Sequence, residues 1–128
     1  MRSNRTILLV EDSPLTRRMI RRMLEEHPHF TVLEACDGLE ALTVLKSNSV
    51  DLVLSDLHML PMDGHILLMQ LRARPSLAHL PFVMMTAQHC PDAIRRTVGD
   101  DAGQYLPKPF SRDQLIATLE RALPRWAA

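Results

Sequence analysis

The sequence predicts an α/β fold in which a five-stranded parallel sheet carries helices on both faces. Short, continuous apolar runs alternate along the chain with longer segments of helical periodicity, and the connections between them are short. A continuous apolar run is typical of a strand that is covered on both faces. Regular alternation of strand and helix favours a doubly wound parallel sheet. We therefore expect five strands, five helices and one domain over residues 1–128.

Five apolar runs are the predicted strands, and they lie at residues 6–10, 30–35, 52–54, 81–85 and 105–106. The third run leads directly into Ser55 and Asp56, and the fifth is very short. The composition is even, without a linker, a low-complexity segment or a repeat longer than the strand–helix unit. These features indicate a single domain.

Helix caps and apolar spacing predict the helices. Ser13 and Pro14 are an N-cap and a first-turn proline, Asp37 and Ser111 are further N-caps, and Pro91 precedes a short helix at residues 93–98. Apolar residues recur at helical spacing in four of the helices, and those of the second helix are assigned to its buried face. The apolar residues are Leu15, Met19, Ile20, Met23 and Leu24 in the first helix, Leu39, Leu42 and Leu45 in the second, Ile66, Leu67 and Leu71 in the third, and Leu115, Ile116, Leu119 and Leu123 in the last.

Composition excludes several classes of protein. The chain has 15 Lys and Arg against 15 Asp and Glu, and this balance argues against a nucleic-acid binder, which usually carries excess basic charge. No apolar run reaches the length of about 20 residues that a membrane span needs. The N-terminus leads straight into a strand, so we expect no signal peptide and a cytoplasmic location. Cys36 and Cys90 are then expected to be free thiols, and no His or Cys spacing suggests zinc.

Chemically active residues follow the predicted strands. Glu11 and Asp12 follow the first strand, Asp56 the third, Thr86 the fourth and Lys108 the fifth. The carboxyl ends of parallel strands meet at one edge of a sheet, so these side chains should converge. Three close carboxylates suit Mg²⁺ or Mn²⁺ together with a phosphate oxygen. Asp56 would then be the nucleophile of a phosphoryl transfer, with Thr86 and Lys108 stabilising the transferred group.

Each of these residues also has an ordinary explanation, because an acidic residue after a strand is often a helix cap and a Lys-Pro pair is often a surface loop. Three other functions are therefore compatible with parts of this pattern. A flavin-binding protein would need a phosphate loop where Glu11 and Asp12 stand. A hydrolase with an aspartate nucleophile would usually need a second acid at position 58, which is His58. A third alternative is a module that binds partners and is never phosphorylated.

Four short motifs together resemble the receiver domains of response regulators, notably those of the CheY type. They are the run from Leu8 to Ser13, the segment from Asp56 to Gly64, Thr86-Ala87, and Lys108-Pro109-Phe110. The resemblance covers essentially the whole chain. It implies a flavodoxin-like fold with strand order 2-1-3-4-5. It also implies a phosphorylation-dependent switch in a two-component phosphorelay, which assists its own phosphorylation and dephosphorylation and is otherwise not an enzyme.

The resemblance implies a role for each residue of the site. Asp56 corresponds to the phosphoacceptor, and Mg²⁺ or Mn²⁺ would be held by Glu11, Asp12, Asp56 and the backbone carbonyl of His58. Asp12 is expected to bind the metal directly. The remaining assignments are Thr86 and Tyr105 as switch residues, Lys108 as the amine that contacts the phosphoryl group, a cis bond before Pro109, and His58 and Gln88 as side chains that tune hydrolysis.

Partners are also implied. A histidine kinase or a histidine phosphotransfer protein would dock on the first helix around Leu15 and Arg18, and a downstream protein on the helix at 93–98, the fifth strand and the last helix. The sequence departs from the family pattern in having Glu11 where Asp is commoner, Pro61 one place later than usual, and Asp101 where Gly is usual.

Overall fold

The structure is a computed structural model, and it describes residues 4–59, 61–86 and 103–124, without the side chains of residues 103 and 104. The strands are β1 (Arg5–Val10), β2 (Phe30–Ala35), β3 (Leu52–Asp56), β4 (Phe82–Thr86) and β5 (Gly103–Pro107). The helices are α1 (Pro14–Glu25), α2 (Gly38–Ser47), α3 (Gly64–Arg72) and, at the C-terminal end, α4 (Arg112–Ala122). The described residues do not include the helix predicted at 93–98. They also do not include three residues singled out in the sequence, which are Gln88, Cys90 and Asp101.

The strands form one parallel sheet in the order β2-β1-β3-β4-β5, as predicted. Register places the functional strand ends side by side: Val10 pairs with Ser55, Asp56 with Met85, and Thr86 with Pro107. The side chains that follow these positions therefore share one edge of the sheet. β5 has five residues, where the apolar run predicted two, because its backbone pairs with β4 over the whole length of that strand.

Alternate residues of the strands supply two apolar cores, one on each face of the sheet. On one face Ile7, Leu9 and Leu54 pack with Leu24 of α1 and Leu119 of α4. On the other face Leu8, Val10 and Val53 pack with residues of α2 and α3, among them Ala41 and Leu67. Helices cover both faces of the sheet and bury β3 completely. This explains why polar and apolar residues do not alternate along its sequence.

Side-chain caps begin the helices where the sequence predicted them. The Ser13 hydroxyl accepts a hydrogen bond from the Thr16 N–H, and the Asp37 carboxylate accepts one from the Glu40 N–H at 2.8 Å. Ser111 begins α4 with a full capping box. These caps satisfy N–H groups that a helix cannot pair internally.

Leu39 was expected on the buried face of α2 but is 52% exposed, so this part of the prediction was wrong. Three other apolar residues of the helices are exposed as well: Leu15 is 70%, Met19 53% and Ile66 42% exposed. Successive helix residues point about 100° apart, and the core-facing stripe is narrower than the apolar sequence pattern. The fully or nearly buried positions are Ile20 and Leu24 in α1, Gly38, Ala41 and Leu45 in α2, and Gly64, Leu67, Leu68 and Leu71 in α3.

Two further predictions concern the cysteines and membranes. Cys36 is a free thiol, while Cys90 lies outside the described residues, so the absence of a disulfide between them stays a prediction. In the described part of the chain, the helices are too short or too polar to cross a lipid bilayer.

Candidate functional site

Three carboxylates meet where β1 and β3 end. Oxygen atoms of Glu11, Asp12 and Asp56 all lie within 4.8 Å of one another. Glu11 is 2% and Asp56 7% exposed, whereas Asp12 is exposed to solvent. This is the convergence that the strand ends predicted. Negative charges so close together repel one another unless a cation compensates them.

Lys108 is the cation that compensates part of this charge. Its Nζ lies 3.0 Å from Glu11 Oε1 and 3.2 Å from Asp56 Oδ1. Partial burial lowers the pKa of Lys108, but the hydrogen bond to Glu11 and the charge of Asp56 outweigh it, so this pKa lies above its ordinary value. Burial raises the pKa of Glu11, and the hydrogen bond from Lys108 opposes this effect. Lys108 is therefore protonated at neutral pH and ready to meet an anion beside Asp56.

Thr86 lies at the end of β4, next to β3. Its side chain is 1% exposed, and its hydroxyl oxygen is buried without a hydrogen-bond partner among the described residues. An unpaired buried hydroxyl costs about 1–3 kcal/mol. Such an atom suits a ligand that brings an oxygen to the site, and a phosphoryl group is one.

Hard divalent cations fit the residues of this edge. The three carboxylates supply oxygen ligands at mutual distances that one ion can bridge, and the Asp12 side chain makes no hydrogen bond or ion pair with any described residue. Glu11, in contrast, uses both oxygens: Oε1 accepts from Lys108 and Oε2 from the Ser13 N–H at 3.2 Å. Asp12 is thus the more available ligand of the pair.

Gly64, the first residue of α3, was not given a role by the sequence. A Cβ at this position would lie 2.5 Å from the backbone oxygen of Asp56 and 2.7 Å from Met84 Sδ. The Gly64 N–H also donates to the Leu57 carbonyl at 2.9 Å, which closes the loop after β3. The backbone of Asp56 therefore lies where it does because position 64 has no side chain.

Gly64→Ala should consequently displace Asp56. We expect a stability loss of about 1–3 kcal/mol from overpacking. Because even a small displacement of a reacting group is costly, phosphoryl transfer to Asp56 should slow by about tenfold or more. Urea unfolding and the initial rate of labelling by acetyl phosphate measure the two effects.

Gly38→Ala is the matched control for that substitution. The three atoms nearest to its new Cβ would all belong to the flexible side chain of Met62, with Sδ at 2.7 Å. Met62 can move aside, so labelling of Gly38→Ala should stay close to that of wild type. Equal losses of labelling in the two variants would contradict a specific role for Gly64.

The other predicted site residues lie around this centre. His58 is exposed, and Tyr105 is half-buried in β5 against the core beneath α2 and α3. The Lys108–Pro109 peptide bond is cis. Gln88 lies outside the described residues, so its position relative to Asp56 stays a prediction.

The surface of α1 beside the site is both apolar and cationic. Leu15 and Met19 are exposed, and Met19 borders a groove of about 380 Å³. The groove is lined by Thr16, Met19, Ile20, Met23, Lys108, Pro109 and Phe110. Arg18 is exposed and makes no ion pair with another described residue, whereas Arg17 and Arg21 both pair with Glu34. Among the described residues, the arginines of α1 therefore include both paired and unpaired members.

A five-stranded sheet of this order, with acidic residues, a threonine and a lysine at its carboxyl edge, defines the class of receiver-like switches. The family model of the response regulator receiver domain matches residues 7–120 of the chain. The chain therefore belongs to the response regulator receiver domain family of two-component signalling. This membership favours the receiver interpretation over the flavin-binding and hydrolase alternatives.

Individual relatives agree with that assignment. The chemotaxis protein CheY-3 of Vibrio cholerae is 34% identical over 125 residues, which are 98% of this chain and 96% of that protein. The chemotaxis protein CheY of Pseudomonas aeruginosa is 34% identical over 119 residues, covering 93% of this chain and 96% of the relative. Both similarities extend over nearly the full length of each protein.

Solved structures give the same result. The chemotaxis protein CheY4 of Vibrio cholerae superposes with a TM-score of 0.85 at 30% identity, covering 94% of this chain and 100% of that one. The receiver domain of a sensor histidine kinase from Pseudomonas aeruginosa has a TM-score of 0.83 at 28% identity, over 94% of this chain and 98% of that one. That structure contains a magnesium ion coordinated in its active-site cleft.

Proposed function

We propose that this chain, as a single receiver domain over residues 1–128, is switched by phosphorylation of Asp56 and acts in the cytoplasm. The observation that carries the proposal is the position of Lys108, whose Nζ contacts both Asp56 and Glu11 within a cluster of three carboxylates. A protonated amine beside a buried carboxylate suits a site where a phosphoryl group must be neutralised. The buried Thr86 hydroxyl, which has no hydrogen-bond partner in the described part of the chain, supports the same interpretation.

The proposed reaction is an in-line displacement at phosphorus. An Asp56 carboxylate oxygen attacks the phosphoryl group of a phosphohistidine, a P–O bond forms and the P–N bond breaks. The electron pair of the P–N bond stays on the imidazole nitrogen, and the imidazole leaves neutral when its other nitrogen is protonated. Lys108 then pairs with the phosphoryl oxygens, which add negative charge next to Glu11.

A divalent metal ion would be held by Glu11, Asp12, Asp56 and the backbone carbonyl of His58. When bound, Mg²⁺ or Mn²⁺ supplies positive charge that neutralises the phosphoryl oxygens and the carboxylates. Asp12 offers free carboxylate oxygens to the ion, whereas Glu11 is engaged by Lys108 and the Ser13 N–H.

Thr86 and Tyr105 are proposed to transmit the change. Donation from the Thr86 hydroxyl to a phosphoryl oxygen would draw its side chain towards Asp56 and leave space on the β5 side. Tyr105, which is half-buried in β5, would then favour an inward position. The result is a population shift between two packed states of the face that includes β5 and α4, to which a downstream protein binds.

The phosphodonor is proposed to dock on α1. Leu15, Met19 and Arg18 are exposed on this helix, and Met19 lines an apolar groove together with Lys108, which itself contacts Asp56. A histidine kinase or histidine phosphotransfer protein bound there would present its phosphohistidine to the acidic cluster. Apolar contacts would give affinity, and Arg18 would select acidic residues of the partner.

Labelling with a small phosphodonor tests the proposed function directly. Acetyl phosphate and Mg²⁺ should add one phosphoryl group to the chain, as read by intact mass, and a chelator should prevent the addition. Borohydride reduction and peptide mapping should place the group on Asp56. A chain that stays unlabelled, or that is labelled elsewhere, would show that it is a binding module without phosphorylation.

His58 gives a separate prediction about the lifetime of the acyl phosphate. It is exposed two residues after Asp56, where its side chain can block or orient the hydrolytic water. His58→Ala should change the dephosphorylation rate by about threefold or more, or about 0.6 kcal/mol of barrier. Mg²⁺ affinity should stay unchanged, because only the backbone carbonyl of His58 is assigned to the metal. Decay of the phosphorylated variant at the wild-type rate would exclude this role. We propose the same role for Gln88, and Gln88→Ala should change the dephosphorylation rate to a similar extent.

A further inference from the structure

The turn from Glu11 to Ser13 carries both members of the acidic pair, and its conformation sets where they point. The Glu11 N–H continues the ladder to β2 by donating to the Ala35 carbonyl at 3.1 Å. Ser13 caps α1, and its carbonyl accepts from the Arg17 N–H at 2.9 Å. Between these two anchors lies the peptide unit that joins Glu11 to Asp12.

Arg17 holds that peptide unit through its side chain. Its Nη1 donates to the Glu11 carbonyl at 2.7 Å, while its Nε donates to Glu34 Oε1 at 3.1 Å. The Arg17 side chain is 21% and the Glu34 side chain 31% exposed, so this link is partly protected from water. Arg21 binds the other oxygen of Glu34 and also lies 3.4 Å from Glu25, which fixes Glu34 in turn.

We infer that Arg17 is a positioning residue for the metal site and acts through the Glu11–Asp12 peptide. The peptide group is planar, so fixing its oxygen also fixes the Asp12 N–H and the direction in which Asp12 leaves the turn. The Asp12 carboxylate has no partner of its own among the described residues. Its placement over Asp56 therefore depends on the backbone that Arg17 holds. This inference deepens the proposed function and rests on it.

The geometry requires arginine in particular. One planar fork contacts a carbonyl on one strand end and a carboxylate on the neighbouring strand, with two nitrogens in fixed relation. A lysine keeps the charge but presents a single nitrogen, and it cannot span both acceptors in the same way. Lysine at position 17 should therefore behave as a loss of positioning, although the net charge is unchanged.

The direction in which metal affinity changes when Arg17 is replaced distinguishes a positioning role from a purely electrostatic one. A cation this close to an acidic site repels a divalent metal ion. If Arg17 acted only through its charge, Arg17→Ala would tighten metal binding and Arg17→Lys would leave it unchanged. If Arg17 positions Asp12, both substitutions weaken metal binding.

The experiment compares Mn²⁺ binding to the metal-free full chain by isothermal titration, with electron paramagnetic resonance of free Mn²⁺ as a second measurement. Arg17→Ala and Arg17→Lys should each weaken Mn²⁺ affinity by about tenfold, and Arg22→Ala should stay within about twofold of wild type. Arg22 is the matched control because it is an exposed arginine of the same helix that pairs with neither Glu11 nor Glu34. Amide hydrogen exchange at Asp12 and Ser13 should speed up in the Arg17 variants alone.

Each outcome supports or overturns the positioning role of Arg17. Affinity in Arg17→Ala equal to or tighter than wild type, or full restoration by Arg17→Lys, overturns the inference. If Arg17→Ala does not fold, Glu34→Gln replaces it, since this change removes the charge that orients Arg17, and unchanged Mn²⁺ affinity there also overturns the inference. Wild-type chain that binds no Mn²⁺ or resists acetyl phosphate would refute the proposed function itself. Wild-type binding and labelling with insensitive Arg17 variants would refute only the positioning role.

Discussion

Asp56→Asn should abolish labelling by acetyl phosphate. The amide is nearly the same size as the carboxylate but lacks the anionic oxygen that attacks phosphorus. Loss of one negative charge relieves repulsion with Glu11 and Asp12 and also removes the ion pair with Lys108. Because these changes oppose each other, the free energy of unfolding should stay within about 2 kcal/mol of wild type. Intact mass and urea unfolding measure the two quantities.

Asp113→Asn is the control for that experiment. Asp113 is in the first turn of α4, and its side chain is 89% exposed. Its replacement removes the same functional group from a surface position, so stoichiometric labelling should persist. Full labelling of Asp56→Asn would refute the phosphoacceptor assignment. Loss of labelling in both variants would indicate that labelling depends on the net charge of the protein and not on Asp56 in particular.

The fold could be predicted because burial restricts the sequence strongly at the strands. β3 is buried at every position, so its run of apolar residues could be recognised without any knowledge of the remaining chain. Alternation with capped helices then limits the topology to a doubly wound sheet. Helix faces were predicted less well. Leu39 belongs to an apolar pattern but is 52% exposed, because Gly38, Ala41 and Leu45 form the contact face of α2.

The site could be predicted in composition but not in its contacts. Strand ends place Glu11, Asp56 and Lys108 at one edge, because parallel register is a property of the whole sheet. The close approach of position 64 to the Asp56 carbonyl and the link from Arg17 to the Glu11 carbonyl involve backbone atoms. Backbone acceptors have the same chemistry at every residue, so no sequence pattern identifies which of them is contacted.

Asp12→Ala should weaken metal binding much more than Glu11→Ala. The Asp12 carboxylate is exposed and has no partner in residues 4–59, 61–86 and 103–124, so it can bind an ion at no cost in protein hydrogen bonds. Glu11 would first have to release Lys108 or the Ser13 N–H. We expect a loss of about tenfold or more in Mn²⁺ affinity for Asp12→Ala and about threefold for Glu11→Ala. Isothermal titration of the metal-free proteins measures both.

Stability should change in the opposite order, which makes the comparison decisive. Glu11 is 2% exposed and accepts two hydrogen bonds, so Glu11→Ala leaves two donors without that acceptor. That loss should cost about 1–3 kcal/mol of unfolding free energy. Asp12→Ala removes only a repelling charge from the surface and should leave the metal-free protein as stable as wild type, or more so. If metal affinity and stability instead fell together in each variant, the two acids would share one role, and Asp12 would not be the principal ligand.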